Sequence, residues 1–224
     1  MSKRTIIIGD VHGCIDEMTE LVAKAGYRPG IDQLIFVGDL INRGPDSLAV
    51  WKLYRELGAT SVLGNHELHL IRDAKGIDVH KKWIKDFKVQ FGGLFEDYLK
   101  DIQSWPLYIE NEDFMVVHGG LVPGEHPSQS DERMVTSLRT WSDGPKGINV
   151  AERQPWFNLY QAPKLVVFGH WAKLEGVTRA NVIGLDTGCV YGKRLTALIL
   201  PERELVSVKA KQVYCPIKEN DHQG

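Results

Sequence analysis

The chain has no apolar run approaching the roughly 18 residues that a membrane-spanning helix needs. Its three cysteines, Cys14, Cys189 and Cys215, are far apart and odd in number. They therefore supply neither a disulfide framework nor a Cys-x-x-Cys metal motif, and read as reduced thiols. Charge of one sign is not in surplus: 27 basic side chains face 29 acidic ones, for a net charge of -2. A global basic field for holding DNA or RNA is thus excluded, and a polyanionic substrate has to be attracted locally. There is no internal repeat and no low-complexity tract. The start, MSKRTIIIGDVHG, turns apolar for only a few residues before charge returns. It lacks the longer apolar region and cleavage site of a signal peptide, so it is expected to be the first strand of a cytoplasmic protein with no DNA or membrane partner.

What is present suffices for a sizeable core: 224 residues, 43% of them hydrophobic. Short, continuously apolar runs recur at Thr5–Ile8, Leu34–Val37, Ser61–Leu63, Phe114–Val117, Leu165–Phe168, Val182–Leu185 and Leu195–Leu200. Such runs suit strands buried on both faces. Helical periodicity lies between them at Asp16–Ala25 and Asp46–Leu57, with Asp46 as N-cap. The stretch Val79–Leu99 reads as one or two amphipathic helices broken at Gly92-Gly93, part of a helical insertion over about 78–105. Pro123–Gly147 reads as a long loop. The expectation is a single domain over 1–217 with a disordered tail at 218–224.

The informative pattern stands at the end of each apolar run: Gly9-Asp10-Val11-His12-Gly13, Gly38-Asp39, Gly64-Asn65-His66-Glu67, His118-Gly119-Gly120 and Gly169-His170. The carboxyl edge of an α/β sheet is where such folds bind ligands. Any one Gly-Asp or His-Gly is more often an ordinary turn. Their recurrence at one structural position points to a metal site of oxygen and imidazole donors, which suits Mn, Fe, Zn, Ni or Co.

On these motifs, GDVHG (9–13), GDLINRG (38–44), GNHE (64–67), HGG (118–120) and GH (169–170), the sequence resembles the metallophosphoesterases of the phosphoprotein phosphatase superfamily. The surrounding words GDLINRGPDSLAV, SVLGNHELHL, VVFGHWA and GLDTGCVYGKRLTAL resemble the symmetrical bis(5'-nucleosyl)-tetraphosphatase branch. The resemblance implies a calcineurin-like α/β fold, a β-sandwich of two mixed sheets flanked by helices; the strand runs alone also permit one doubly wound sheet. It implies two divalent cations, manganese first among the candidates, the first held by Asp10, His12 and Asp39. The second would be held by Asp39, Asn65, His118 and His170. It further implies in-line attack on phosphorus by a hydroxide shared between the ions. His66 would be the general acid, with Arg43 and Arg139 on phosphate oxygens. Asp186, Glu67 and His69 would play supporting or turn-forming parts.

One position departs from the superfamily pattern. Where GDxxDRG carries an aspartate that pairs with the acid histidine, this chain has Asn42. An amide can orient His66 by accepting its N–H, but cannot supply the charge that raises its pKa. This favours a phosphoanhydride, whose phosphate leaving group has a last pKa of about 6, over a serine alkoxide. The leading expectation is therefore cleavage of diadenosine tetraphosphate to two ADP. A serine/threonine or mixed-specificity protein phosphatase is the alternative, and an RNA cap hydrolase or a silent metal-binding scaffold stand further back. Trp141, Trp156, Phe157 and Trp171 could stack on a base, though core packing is the commoner use of such residues.

Overall fold

The computed structural model describes residues 3–77, 82–142 and 153–216. The expected tail at 218–224 lies outside them, as do 78–81 in the helical insertion and 143–147 in the expected loop.

Twelve strands are present among the described residues. They are β1 (Thr5–Ile8), β2 (Gln33–Phe36), β3 (Thr60–Ser61), β4 (Tyr108–Glu110), β5 (Phe114–Val117) and β6 (Thr140–Trp141), then β7 (Gln154–Pro155), β8 (Leu165–Phe168), β9 (Val177–Thr178), β10 (Val182–Gly184), β11 (Arg194–Leu200) and β12 (Glu204–Lys209). One sheet runs β12-β11-β1-β2-β3 and the other β4-β5-β8-β10-β9, with β6 and β7 a separate pair. Each large sheet has a parallel part, β1-β2-β3 in one and β5-β8-β10 in the other; antiparallel strands flank it on one side in the first sheet (β11, β12) and on both sides in the second (β4, β9). This is the two-sheet sandwich rather than one doubly wound sheet.

Strand period explains why the runs are apolar throughout. Successive side chains point to opposite faces, and here both faces are covered. Ile7, Ile35, Leu198, Val116 and Val167 fill the space between the sheets. Ile6, Ile8, Phe36 and Ala197 face the helices of the first sheet. Met115, Val117, Val166 and Phe168 pack outward against Trp156, Phe157 and Leu138.

The helices are α1 (Ile15–Lys24), α2 (Ser47–Glu56), α3 (Asn65–Ala74), α4 (Lys82–Phe91), α5 (Phe95–Gln103) and α6 (Glu132–Ser137). Asp46 caps α2 by accepting the Ala49 N–H at 2.8 Å. A short 3-10 turn at Gly92–Leu94, with Gly92 at φ +51°, separates α4 from α5. Both helices press aromatic rings onto Trp51 of α2, Phe91 from α4 and Tyr98 from α5; Phe87 and Phe91 stack at 4.3 Å, and Trp51 Nε1 donates to Asp101. The segment is thus built into the main core.

The segment Pro123–Gly147 departs from a plain loop. Asp131 caps α6 by accepting the Arg133 N–H, Val135 and Leu138 are buried, and Thr140–Trp141 pairs with β7. The Ser- and Asp-rich composition that suggests a loop is in part the capping chemistry of a short helix. β12 carries no continuous apolar run because it is an edge strand most of whose residues are exposed or half-buried.

Candidate metal centre

The parallel strands of both sheets deliver their carboxyl ends to one place. Asp10 and His12 follow β1, Asp39 follows β2, Asn65 and His66 open α3 after β3, His118 follows β5, and His170 follows β8. Close approach of backbone to side chain makes the neighbouring glycines necessary. A Cβ on Gly64 would collide with Asp39 and Glu67, and one on Gly169 with the Asp10 carboxylate. His12, Asp39, Asn42, Arg43 and His170 all hold positive φ, between 47° and 70°. Non-glycine residues occupy that region at a cost, which concentrates where function fixes geometry.

The donors converge on Asp39. Its Oδ2 lies 3.6 Å from His12 Nε2, 3.4 Å from His118 Nε2 and 3.9 Å from His66 Nε2. Asn65 Oδ1 lies 3.0 Å from His118 Nε2 and 2.9 Å from His170 Nδ1. Asp39, His118 and His170 offer ligand atoms within 4.8 Å of one another, and so do His12, Asp39 and His66. Asp10 sits beside the group of Asp39, His118 and His170: its carboxylate accepts the His170 N–H at 3.0 Å and lies within electrostatic reach of Asp39, His118 and Asp186.

The tautomers show what the cluster can hold. His118 Nδ1 is 2.7 Å from the Val37 carbonyl and His12 Nδ1 is 2.9 Å from that of Ile41. A carbonyl only accepts, so both Nδ1 atoms carry hydrogen and both Nε2 atoms turn toward Asp39. A bare Nε2 lone pair facing the Asn65 and Asp39 oxygens is repulsive unless a cation or a proton lies between them. The donor set therefore fits divalent metal. His170 Nε2 is buried with no hydrogen-bond partner among the described residues.

The electrostatics agree. Burial opposes the charge on Asp39, but His118 and His66 outweigh it and hold the carboxyl well below its usual range. Burial, then Arg43, presses His12 down to about 4, and burial drives His66 and His170 well below their ordinary value. Neutral imidazole is the form that ligates metal. His118 is the exception: burial lowers it, yet Asp39 beside it lifts its pKa to about 10. In the metal-free protein a proton on His118 balances the buried Asp39 charge. Burial and Asp186 raise Asp10 well above the usual carboxylate value, and burial raises Asp186 to about 6.

Asn42 holds His66 in the opposite sense from that expected. Its Oδ1 accepts the Arg43 N–H at 2.8 Å, which fixes the amide orientation and turns Nδ2 to His66 Nδ1, 2.8 Å away. The amide therefore donates to the ring. His66 keeps its hydrogen on Nε2, on the Asp39 side, and protonating Nδ1 would break the contact. Arg43 Nη1 lies 3.2 Å from His12 Nε2, with its guanidinium over the Tyr191 ring. Arg139 is in electrostatic reach of Asp186, Arg43 and Asp39.

Glu67 and Asp186, expected as supporting or turn-forming residues, take definite positions, and Trp83 is a neighbour the sequence did not single out. Glu67 is fully buried and accepts the N–H groups of Asp39 and Leu40, each at 3.0 Å, pinning the loop that carries the central carboxylate. Asp186 faces Asp10 and accepts the Gly188 N–H. Trp83, on α4, lies against the His66 ring with centroids 5.6 Å apart. Of the aromatic candidates, Trp156 is fully buried with Nε1 on the Gly119 carbonyl and Phe157 is core, whereas Trp141 and Trp171 are half-buried.

A two-sheet sandwich with this donor cluster on its strand ends defines a metal-dependent hydrolase of phosphate compounds. The family model described as calcineurin-like phosphoesterase matches residues 3–200, and the chain belongs to that family. It is 30% identical to the symmetrical bis(5'-nucleosyl)-tetraphosphatase of Vibrio campbellii over 264 residues, covering 92% of this chain and 98% of that one. A Marinomonas relative of the same name is 32% identical, with 91% and 96% covered. The Vibrio alignment is longer than the 224 residues here, so that relative carries insertions this chain lacks. Among solved structures, a candidate diadenosine tetraphosphatase superposes with a TM-score of 0.82 at 32% identity, covering 94% of this chain and 95% of that one. A yeast serine/threonine phosphatase superposes at 0.62 with 14% identity, covering 97% and 81%, and shares the fold.

Proposed function

We propose that the chain hydrolyses the phosphoanhydride of dinucleoside polyphosphates, converting diadenosine tetraphosphate to two ADP. The carrying observation is the Asn42–His66 contact; the names of the relatives support the same reading. In this reading Asp10, His12 and Asp39 hold one ion and Asp39, Asn65, His118 and His170 the other. Manganese comes first among the metals that the mixed carboxylate, amide and imidazole set without thiolate suits, ahead of Fe, Zn, Co and Ni. Bound there, two cations supply charge for phosphate oxygens and a lowered pKa for water.

The chain's own groups do the rest. Arg43 and Arg139 bind the phosphate oxygens between them, a task for which the planar guanidinium fork is shaped. His66 presents Nε2–H to the departing oxygen. A neutral imidazole stabilises a leaving group by hydrogen bonding without giving up its proton in full. That is enough for a nucleoside diphosphate and too little for a serine or threonine alkoxide. Trp83, beside His66, offers the leaving nucleoside a ring to stack on, worth about 1–3 kcal/mol.

The test is product analysis. Manganese-loaded protein incubated with diadenosine tetraphosphate should give ADP alone, with kcat/KM well above that for a phosphoserine peptide. ATP plus AMP, or a preference for the peptide, would refute the reading.

A further inference from the structure

Away from the strand-end cluster, three side chains from distant parts of the sequence meet in the core. Cys14 lies just before α1, Glu17 in its first turn, and Cys189 in the 3-10 turn after Asp186-Thr187-Gly188. Cys14 and Glu17 are fully buried and Cys189 is 1% exposed. Their ligand atoms lie within 4.8 Å of one another.

Glu17 is what an ordinary core does not explain. Its Oε1 accepts two hydrogen bonds, from the Lys211 backbone N–H and from the Tyr214 hydroxyl, each at 2.8 Å. Its Oε2 is buried and has no hydrogen-bond partner among the described residues. A buried carboxylate oxygen left unmet is costly. One carboxylate oxygen is held by outer donors, the other has no donor, and the group lies within 4.8 Å of both thiols, an arrangement that suits a metal-ligating carboxylate. A disulfide between Cys14 and Cys189 would leave Oε2 as it is, whereas a cation would satisfy all three side chains.

We propose that Cys14, Glu17 and Cys189 form a separate site for one soft divalent cation, zinc being the best match. Two thiolates and a carboxylate are borderline-soft donors of the kind zinc selects, with zinc–sulfur distances of about 2.3 Å. The His12 carbonyl oxygen, 3.9 Å from Cys14 Sγ, stands beside the thiols as a fourth donor. Binding releases the two thiol protons to solvent and changes no oxidation state. The ion ties the loop of His12 to the loop of Asp186. Tyr214 and Cys215, whose N–H groups bond the Val190 carbonyl, hold the C-terminal segment beside it. The role is structural and lies outside the reaction.

Cobalt substitution tests the proposal. The strand-end cluster has only nitrogen and oxygen donors, so a thiolate-to-cobalt charge-transfer absorption can come only from cysteine. Chelator-stripped, fully reduced protein titrated with Co²⁺ should develop that absorption, saturating at about one equivalent of the bound metal. The Cys14→Ser/Cys189→Ser double variant should lose it while still binding cobalt, and Glu17→Gln should weaken the cobalt site at least tenfold. Wild-type protein that binds cobalt without the absorption, or that carries a Cys14–Cys189 disulfide with no metal taken up, overturns the proposal. Absence of the absorption in wild-type protein overturns the proposal even where the variants fail to fold.

Discussion

At the scale of single residues, the reaction turns on which atom of Asn42 faces His66. The amide donates to Nδ1, so an imidazolium at His66 loses a contact that an aspartate would reward. Asn42→Asp should therefore improve turnover of substrates with poor leaving groups selectively. The ratio of phosphopeptide to diadenosine tetraphosphate kcat/KM should rise on the order of tenfold, and an unchanged ratio would mean that proton demand does not set the preference. His66→Ala is expected to cost the phosphopeptide reaction about 10²–10⁴-fold and the anhydride reaction less. The side chains gathered in the cluster were legible in the sequence because each stands at or near the end of an apolar run close to a glycine, which for His118 follows rather than precedes it. The sense of the Asn42 contact was not, because it depends on the neighbouring Arg43 N–H. Nor was the hold of Glu67 on the Asp39 loop, which joins α3 to the end of β2.

Among the elements, the parallel strands were readable as apolar runs because both their faces are covered. The edge strands β4, β9 and β12 were not, since one exposed face or a length of two or three residues erases the pattern. Helix α2 sits just after the Asn42–Arg43 loop, and its cap is a local device. Asp46→Ala should lower stability by about 1 kcal/mol, read as a reduced midpoint in urea unfolding with unchanged slope. The break between α4 and α5 was legible in Gly92-Gly93, but its consequence, Trp83 set against His66, depends on docking against α2. Trp83→Ala should raise KM for diadenosine tetraphosphate several-fold while leaving p-nitrophenyl phosphate kinetics nearly unchanged. An equal loss on both substrates would assign Trp83 to positioning His66 instead.

For the whole molecule, burial leaves few ion pairs that matter, and the one at Asp32 ties the first strand to the loop before β2. Arg28 and Arg4 both bond its carboxylate at 2.8 Å. Those bonds, Arg28 first, lower its pKa to about 2. A folded-state pKa below the unfolded one adds stability that is complete above about pH 4 to 5 and lost as pH falls toward 2. Asp32→Asn should then cost about 1–2 kcal/mol at neutral pH and flatten the stability profile between pH 4 and 2, as read by thermal unfolding across that range. The sandwich itself was not forced by the strand runs, which also allow a single sheet. Resemblance to a family suggested it, and the alternation of Ile6, Ile7 and Ile8 between two different cores shows why it forms. Strand ends from both sheets bring Asp39 between two sets of donors that share it. Electron paramagnetic resonance of the manganese-loaded protein tests this most directly. The wild type should show the signature of an exchange-coupled manganese pair, and Asp39→Asn should abolish it. Isolated, uncoupled manganese at every loading of the wild type would contradict it.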